Sequence, residues 1–124
     1  MICLDTHAVV WLHAGEIAKF SQRALSAMSV PTLYISPMVT LEVQFLREIG
    51  RITDEPKDIL QNVAQRFGVT VLGDIFENVT ERALMLPWTR DPFDRLIVAH
   101  ADLHSADLVT RDANIGQNYA RAIW

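Results

Sequence analysis

Hydrophobic residues along the chain alternate between short continuous runs and spaced stripes. Met1-Ile2-Cys3-Leu4 is a continuous run that stops at Asp5, as a strand buried on both faces would read. Thr6 to His13 then carries Val9, Val10 and Leu12 at helical spacing, and Gly15 breaks it. Ser21 is placed to cap a second helix bearing Ala24, Leu25 and Met28. Leu33-Tyr34-Ile35 reads as a strand. Ser36-Pro37 follows as a cap with proline at the first helical position, and that helix runs on through Val39, Val43 and Leu46 toward Gly50.

The same alternation continues to the end of the chain. Thr53 or Asp54 is expected to cap a helix whose apolar face is Ile59, Leu60, Val63, Ala64 and Phe67, ending at Gly68. Val69 to Leu72 is β-branched and strand-like. A weaker helix pattern covers residues 75 to 85 and is closed by Pro87, and Asp91-Pro92 opens a strong helix to about His104. Asp107 to Thr110 is a strand, residues 113 to 119 a short helix or turn, and Arg121 to Trp124 a last edge strand. Strands alternating with helices imply an α/β domain whose parallel sheet is covered on both faces. No repeat or low-complexity linker divides residues 1–124, so a single domain is expected.

Composition narrows the class. Half the residues are hydrophobic, enough to build a core. The formal net charge of -4 does not announce a nucleic-acid binder. Local clustering can still supply one, because nine of the 11 basic residues are arginine, whose fork suits phosphate. The lone Cys3 excludes an internal disulfide and a thiolate zinc cluster, and its place in the first strand predicts a buried structural thiol. No secretory signal and no apolar stretch of about 18 residues is visible, so a cytoplasmic protein without membrane association is expected.

Four acids stand at element edges on separate segments: Asp5, Glu42, Asp94 and Asp112. Ligands of parallel α/β sheets bind beyond the carboxyl ends of the strands, and Asp5 and Asp112 lie just past two such ends. Asp94 sits in the first turn of a helix, and Glu42 lies among apolar residues of another. Each has a plainer reading: a helix cap for Asp5, a solvated face for Glu42, a capping-box position for Asp94, a turn for Asp112. Asp91 reads as the N-cap before Pro92 and as a reserve ligand. Should the four meet, desolvating them would require a hard divalent cation, Mg²⁺ or Mn²⁺. Thr6 is placed to cap the helix or to hold a water on the ion. Such a centre is that of a phosphodiesterase.

Other residues are secondary candidates. Arg90, Arg95 and Arg111 flank the acids and are either phosphate contacts or their salt-bridge partners. His100 and His104 are spaced i, i+4, but no zinc-protease glutamate lies between them, and they read as helix-surface residues. Trp11, Trp88 and Trp124 read as core or interface anchors.

At these residues the chain resembles the PIN-domain endoribonucleases, specifically the toxins of the VapBC toxin–antitoxin type. The matching stretches are Ile2-Cys3-Leu4-Asp5-Thr6-His7-Ala8, Ile35-Ser36-Pro37 through Leu41-Glu42-Val43, Arg90-Asp91-Pro92-Phe93-Asp94-Arg95 through Ala101, and Leu108-Val109-Thr110-Arg111-Asp112. Residues 51 to 86 carry no motif, and Trp88-Thr89 replaces a more polar lead-in. The resemblance implies a three-layer α/β/α fold around a five-stranded, mainly parallel sheet. It further implies Asp5, Glu42, Asp94 and Asp112 as metal-binding and catalytic acids, and Thr110 as a polar neighbour. The activity implied is Mg²⁺- or Mn²⁺-dependent RNA cleavage. The implied partners are a second copy of the chain and a small antitoxin. A structure-specific DNA nuclease and a catalytically silent PIN-like module are the rival readings.

Overall fold

The computed structural model describes all 124 residues. Five short strands, β1 (Ile2–Leu4), β2 (Leu33–Ile35), β3 (Val69–Val71), β4 (Asp107–Val109) and β5 (Ala122–Ile123), form one sheet in the order β3-β2-β1-β4-β5. All four pairings are parallel, with Cys3 opposite both Tyr34 and Leu108. The helices are α1 (Thr6–Ala14), α2 (Gln22–Ala27), α3 (Pro37–Glu48), α4 (Pro56–Phe67), α5 (Phe76–Ala83), α6 (Pro92–Leu103) and α7 (Ala113–Asn118). A 3₁₀ turn, Ile17–Lys19, lies between α1 and α2. The result is the expected three-layer α/β/α architecture. No helix is long and apolar enough to cross a membrane.

The three central strands are buried because both sheet faces are covered: Leu4, Ile35, Leu108 and Val109 are fully enclosed, as are Val9, Val39, Val63 and Val98 on the helices over them. Each such side chain contributes about 2 kcal/mol of hydrophobic free energy. Cys3 belongs to this core, and burial pushes its thiol up to about 11, so it stays protonated as a structural thiol. Trp11, Phe20 and Trp124 pack edge-on and tilted with ring centroids 5.5 to 5.9 Å apart, which anchors the chain end.

Local rules account for most helix starts. Ser21 accepts from the Ala24 N–H and Ser36 from the Met38 N–H, as expected of caps. One expectation fails: α4 is preceded by Glu55, whose side chain makes no cap bond, rather than capped by Thr53 or Asp54. Pro56 at the first helical position sets this start, and Asp54 instead meets His13 at 2.7 Å. Gly68 ends α4 at φ +67°, and a Cβ there would come within 2.3 Å of the Pro31 carbonyl oxygen, so only glycine closes this corner.

The sheet order matters most for function. The chain moves outward from β1 to β2 to β3, then returns across to lay β4 on the other side of β1. The connections after β1 and β4 therefore part in opposite directions. Such a switch point opens a crevice at the carboxyl ends of the strands.

Candidate metal centre at the sheet rim

Asp5 leaves β1 on one side of that crevice, and Thr110, Arg111 and Asp112 leave β4 on the other. Asp5 is buried. Its Oδ1 caps α1 by accepting from the Ala8 N–H at 3.0 Å, and its Oδ2 accepts from the Thr110 hydroxyl. Thr110 in turn accepts from the Asp112 N–H at 3.1 Å, so one buried threonine ties the two strand ends together. Asp112 caps α7 through the Ile115 N–H at 2.8 Å. Asp91 caps α6 through the Phe93 and Asp94 N–H groups at 2.8 and 3.3 Å. In a parallel α/β sheet each helix that follows a strand begins at this same rim, so capping acids gather there. Capping explains Asp5, Asp91 and Asp112 in part. It does not explain Asp94 or Glu42, which cap nothing and are half-buried.

The acids lie near enough to act on one another's charge. Burial pushes the Asp94 carboxyl from 3.8 up to about 7, and the charges of Asp91, Asp112, Glu42 and Asp5 push in the same direction. Burial likewise raises Asp5, opposed by the Thr110 and Ala8 hydrogen bonds. Glu42 is raised by burial, with Asp91 and Asp5 adding to it. None of the four forms a salt bridge. The one hydroxyl left buried without a hydrogen bond of ordinary geometry is Thr6 Oγ1, which faces Glu42 closely enough to oppose that rise.

Buried and half-buried carboxylates that form no salt bridge, with His7 the one positive charge acting on Asp5 and Glu42, fit a hard divalent cation. The acid side chains are not drawn in on a common point, since no three of them bring oxygens within 4.8 Å of one another. An ion held here would bind some of them through water or after their side chains turn.

The flanking arginines divide. Arg111 lines a shallow cavity of about 300 Å³ with Asp5, His7, Trp11 and Asp112, and Arg90 is exposed just before Asp91. Arg95 is turned elsewhere: its Nε donates to the Ala83 carbonyl at 2.8 Å and its Nη1 to the Thr89 carbonyl at 3.4 Å. It braces α5 against α6, and its guanidinium is committed to backbone.

A second cluster corrects the reading of the histidines. His100 is buried, not on the helix surface, because α6 is enclosed along Ile97–Ala101. Its Nε2 lies 2.9 Å from Asp74 Oδ2, and His104 Nε2 lies 2.6 Å from the same oxygen. The His104 hydrogen bond, aided by that of His100, holds the Asp74 carboxyl below its ordinary range. These three side chains offer ligand atoms within 4.8 Å of one another, close enough for one divalent cation. Asp74 was not among the expected residues. The i, i+4 histidines were its one signal in the sequence.

Known proteins place this architecture. A chain in the crystal structure of VapBC2 from Rickettsia felis bound to a DNA fragment from their promoter superposes with TM-score 0.67 at 19% identity, covering 96% of this chain and 94% of that one. A chain of a toxin-antitoxin complex from Klebsiella pneumoniae superposes with TM-score 0.65 at 16% identity, covering 100% of this chain and 97% of that one. No curated protein matches in sequence. Residues 2–120 match the family model described as PIN domain, which takes in β1, β4 and the whole acidic rim, and the chain therefore belongs to the PIN domain family.

Proposed function

We propose that the chain is a metal-dependent endoribonuclease and the toxin of a type II toxin–antitoxin pair acting in the cytoplasm. The observation that carries this reading is that Asp5, Glu42, Asp94 and Asp112 lie near enough at the rim of the sheet to act on one another's charge, with none of them in a salt bridge. Asp5 and Asp94 would hold Mg²⁺ or Mn²⁺, with Glu42 and Asp112 joining directly or through water. When bound, the ion supplies Lewis acidity toward the scissile phosphate and makes water more acidic. The chain's own groups do the rest. Thr110 fixes the rotamer of Asp5, and Asp91 holds the first turn of α6 that presents Asp94. A carboxylate of the set orients the attacking water and takes its proton. The water oxygen bonds to phosphorus as the bond to the 3′-oxygen breaks, and that oxygen takes a proton from solvent, leaving a 5′-phosphate and a 3′-hydroxyl. Arg90 and Arg111, both exposed beside the rim, are placed to receive flanking phosphates.

The toxin role is supported by the fold shared with chains of toxin–antitoxin complexes and by the surface. Leu41, Phe45 and Ile49 project from α3 with 43 to 54% exposure, and Ile75, Phe76, Leu84 and Met85 around α5 exceed 60%. Apolar exposure on this scale suits partner surfaces, here a small antitoxin and a second copy of the chain.

The test is cleavage by the partner-free protein on RNA and on DNA of matched sequence, with Mg²⁺, with Mn²⁺ and with chelator. RNA is expected to be cut in either metal and spared in chelator, with DNA uncut. Equal cutting of DNA would favour a structure-specific DNA nuclease, and RNA binding without turnover a silent module.

A further inference from the structure

We propose that Asp74, His100 and His104 form a second cation site, for a transition-metal ion of the Zn²⁺ class, which clips the loop after β3 to α6. His100 lies six residues beyond Asp94 on α6, about 9 Å along the helix axis.

Three features of the cluster carry the inference. First, two imidazoles four residues apart on one helix face present Nε2 atoms to a carboxylate from a facing loop. Two nitrogens and one oxygen are a donor set for Zn²⁺, Co²⁺ or Ni²⁺, whereas Mg²⁺ prefers oxygen alone. Second, the buried member is already oriented from behind. His100 Nδ1 lies 3.1 Å from Ser36 Oγ, and that oxygen accepts from the Met38 N–H at 3.2 Å. A serine oxygen can accept twice, so it can take an Nδ1–H proton and leave Nε2 free to ligate. Third, the cluster borders a cavity of about 470 Å³ lined by Ser36, Pro37, Met38, Leu41 and Phe76, which leaves room for a fourth, exchangeable ligand.

In the ion-free protein both Nε2–H groups donate to the single Asp74 oxygen. Binding moves each imidazole proton from Nε2 to Nδ1, and the ion takes the place of two hydrogen bonds. Because Ser36 also caps α3, the clip extends to the helix that carries Glu42.

The experiment titrates Co²⁺ into the full chain under excess Mg²⁺, reading visible absorption, and follows histidine ¹⁵N signals as Zn²⁺ displaces it. Stoichiometric Co²⁺ uptake, resistant to Mg²⁺ and unchanged in Asp94→Asn, is expected. Affinity should fall about tenfold or more in His104→Gln and in Asp74→Asn. Both positions are partly exposed, and circular dichroism confirms that each variant folds. The Nε2 protons of His100 and His104 should vanish on Zn²⁺ binding. No uptake overturns the proposal. So does uptake lost in Asp94→Asn but kept in His104→Gln, which assigns the ion to the acidic rim.

Discussion

Asp94→Asn is expected to lower metal-dependent RNA cleavage by about 10²–10³-fold or more, and to make the metal-free protein more stable above neutral pH. The activity loss follows from removing an anionic oxygen that the ion needs. The gain in stability follows from the raised carboxyl, pushed from 3.8 to about 7. The folded protein keeps this proton at a pH where the unfolded chain has released it. Stability from this group is therefore complete below about pH 4 and is lost as pH rises through about 7. A shift of this size corresponds to about 4 kcal/mol, and partial exposure to solvent reduces it to about 2 kcal/mol. Asparagine has no proton to lose. Chemical denaturation in chelator should show the variant ahead of the parent by about 1–2 kcal/mol near pH 8, with the gap closing toward pH 4. A gap independent of pH would remove Asp94 from a shared electrostatic site.

Asp5 should separate ion binding from folding. Asp5→Asn keeps an Oδ1 that accepts from the Ala8 N–H, so α1 stays capped. Asp5→Ala removes the cap and strands both the Ala8 N–H and the Thr110 hydroxyl in a buried place. A lost cap costs about 1 kcal/mol and each unsatisfied buried group about 1–3 kcal/mol. Both variants relieve the buried charge, so that gain cancels in the comparison. The alanine variant should be about 2–3 kcal/mol less stable than the asparagine variant, measured by urea unfolding. Both should cleave RNA at least about 10²-fold more slowly than the parent. An active Asp5→Asn would reduce Asp5 to a helix cap.

Much of this was legible in the sequence because the signals were local. Strands buried on two faces must be continuously apolar, as Ile2–Leu4 and Leu33–Ile35 are. Ser36-Pro37 and Asp91-Pro92 combine a cap with a proline at the first helical turn, and both helices begin there. The same rule applied to Pro56 would have placed the start of α4 correctly, but the polar run before it offered several caps. What was not legible depends on distant partners. Asp74 reaches His100 and His104 across 26 and 30 residues. Arg95 spends its guanidinium on carbonyls of Ala83 and Thr89, acceptors that every residue carries and no pattern marks. His100 is polar inside an enclosed stretch of α6, and periodicity assigns polar residues to the surface.

Crystals soaked in Mn²⁺ and measured at its absorption edge give the most direct reading of the rim. An anomalous peak touching carboxylate oxygens of Asp5 and Asp94 is the predicted result. Anomalous density confined to His100 and His104, with nothing beside Asp5 at saturating Mn²⁺, would contradict it.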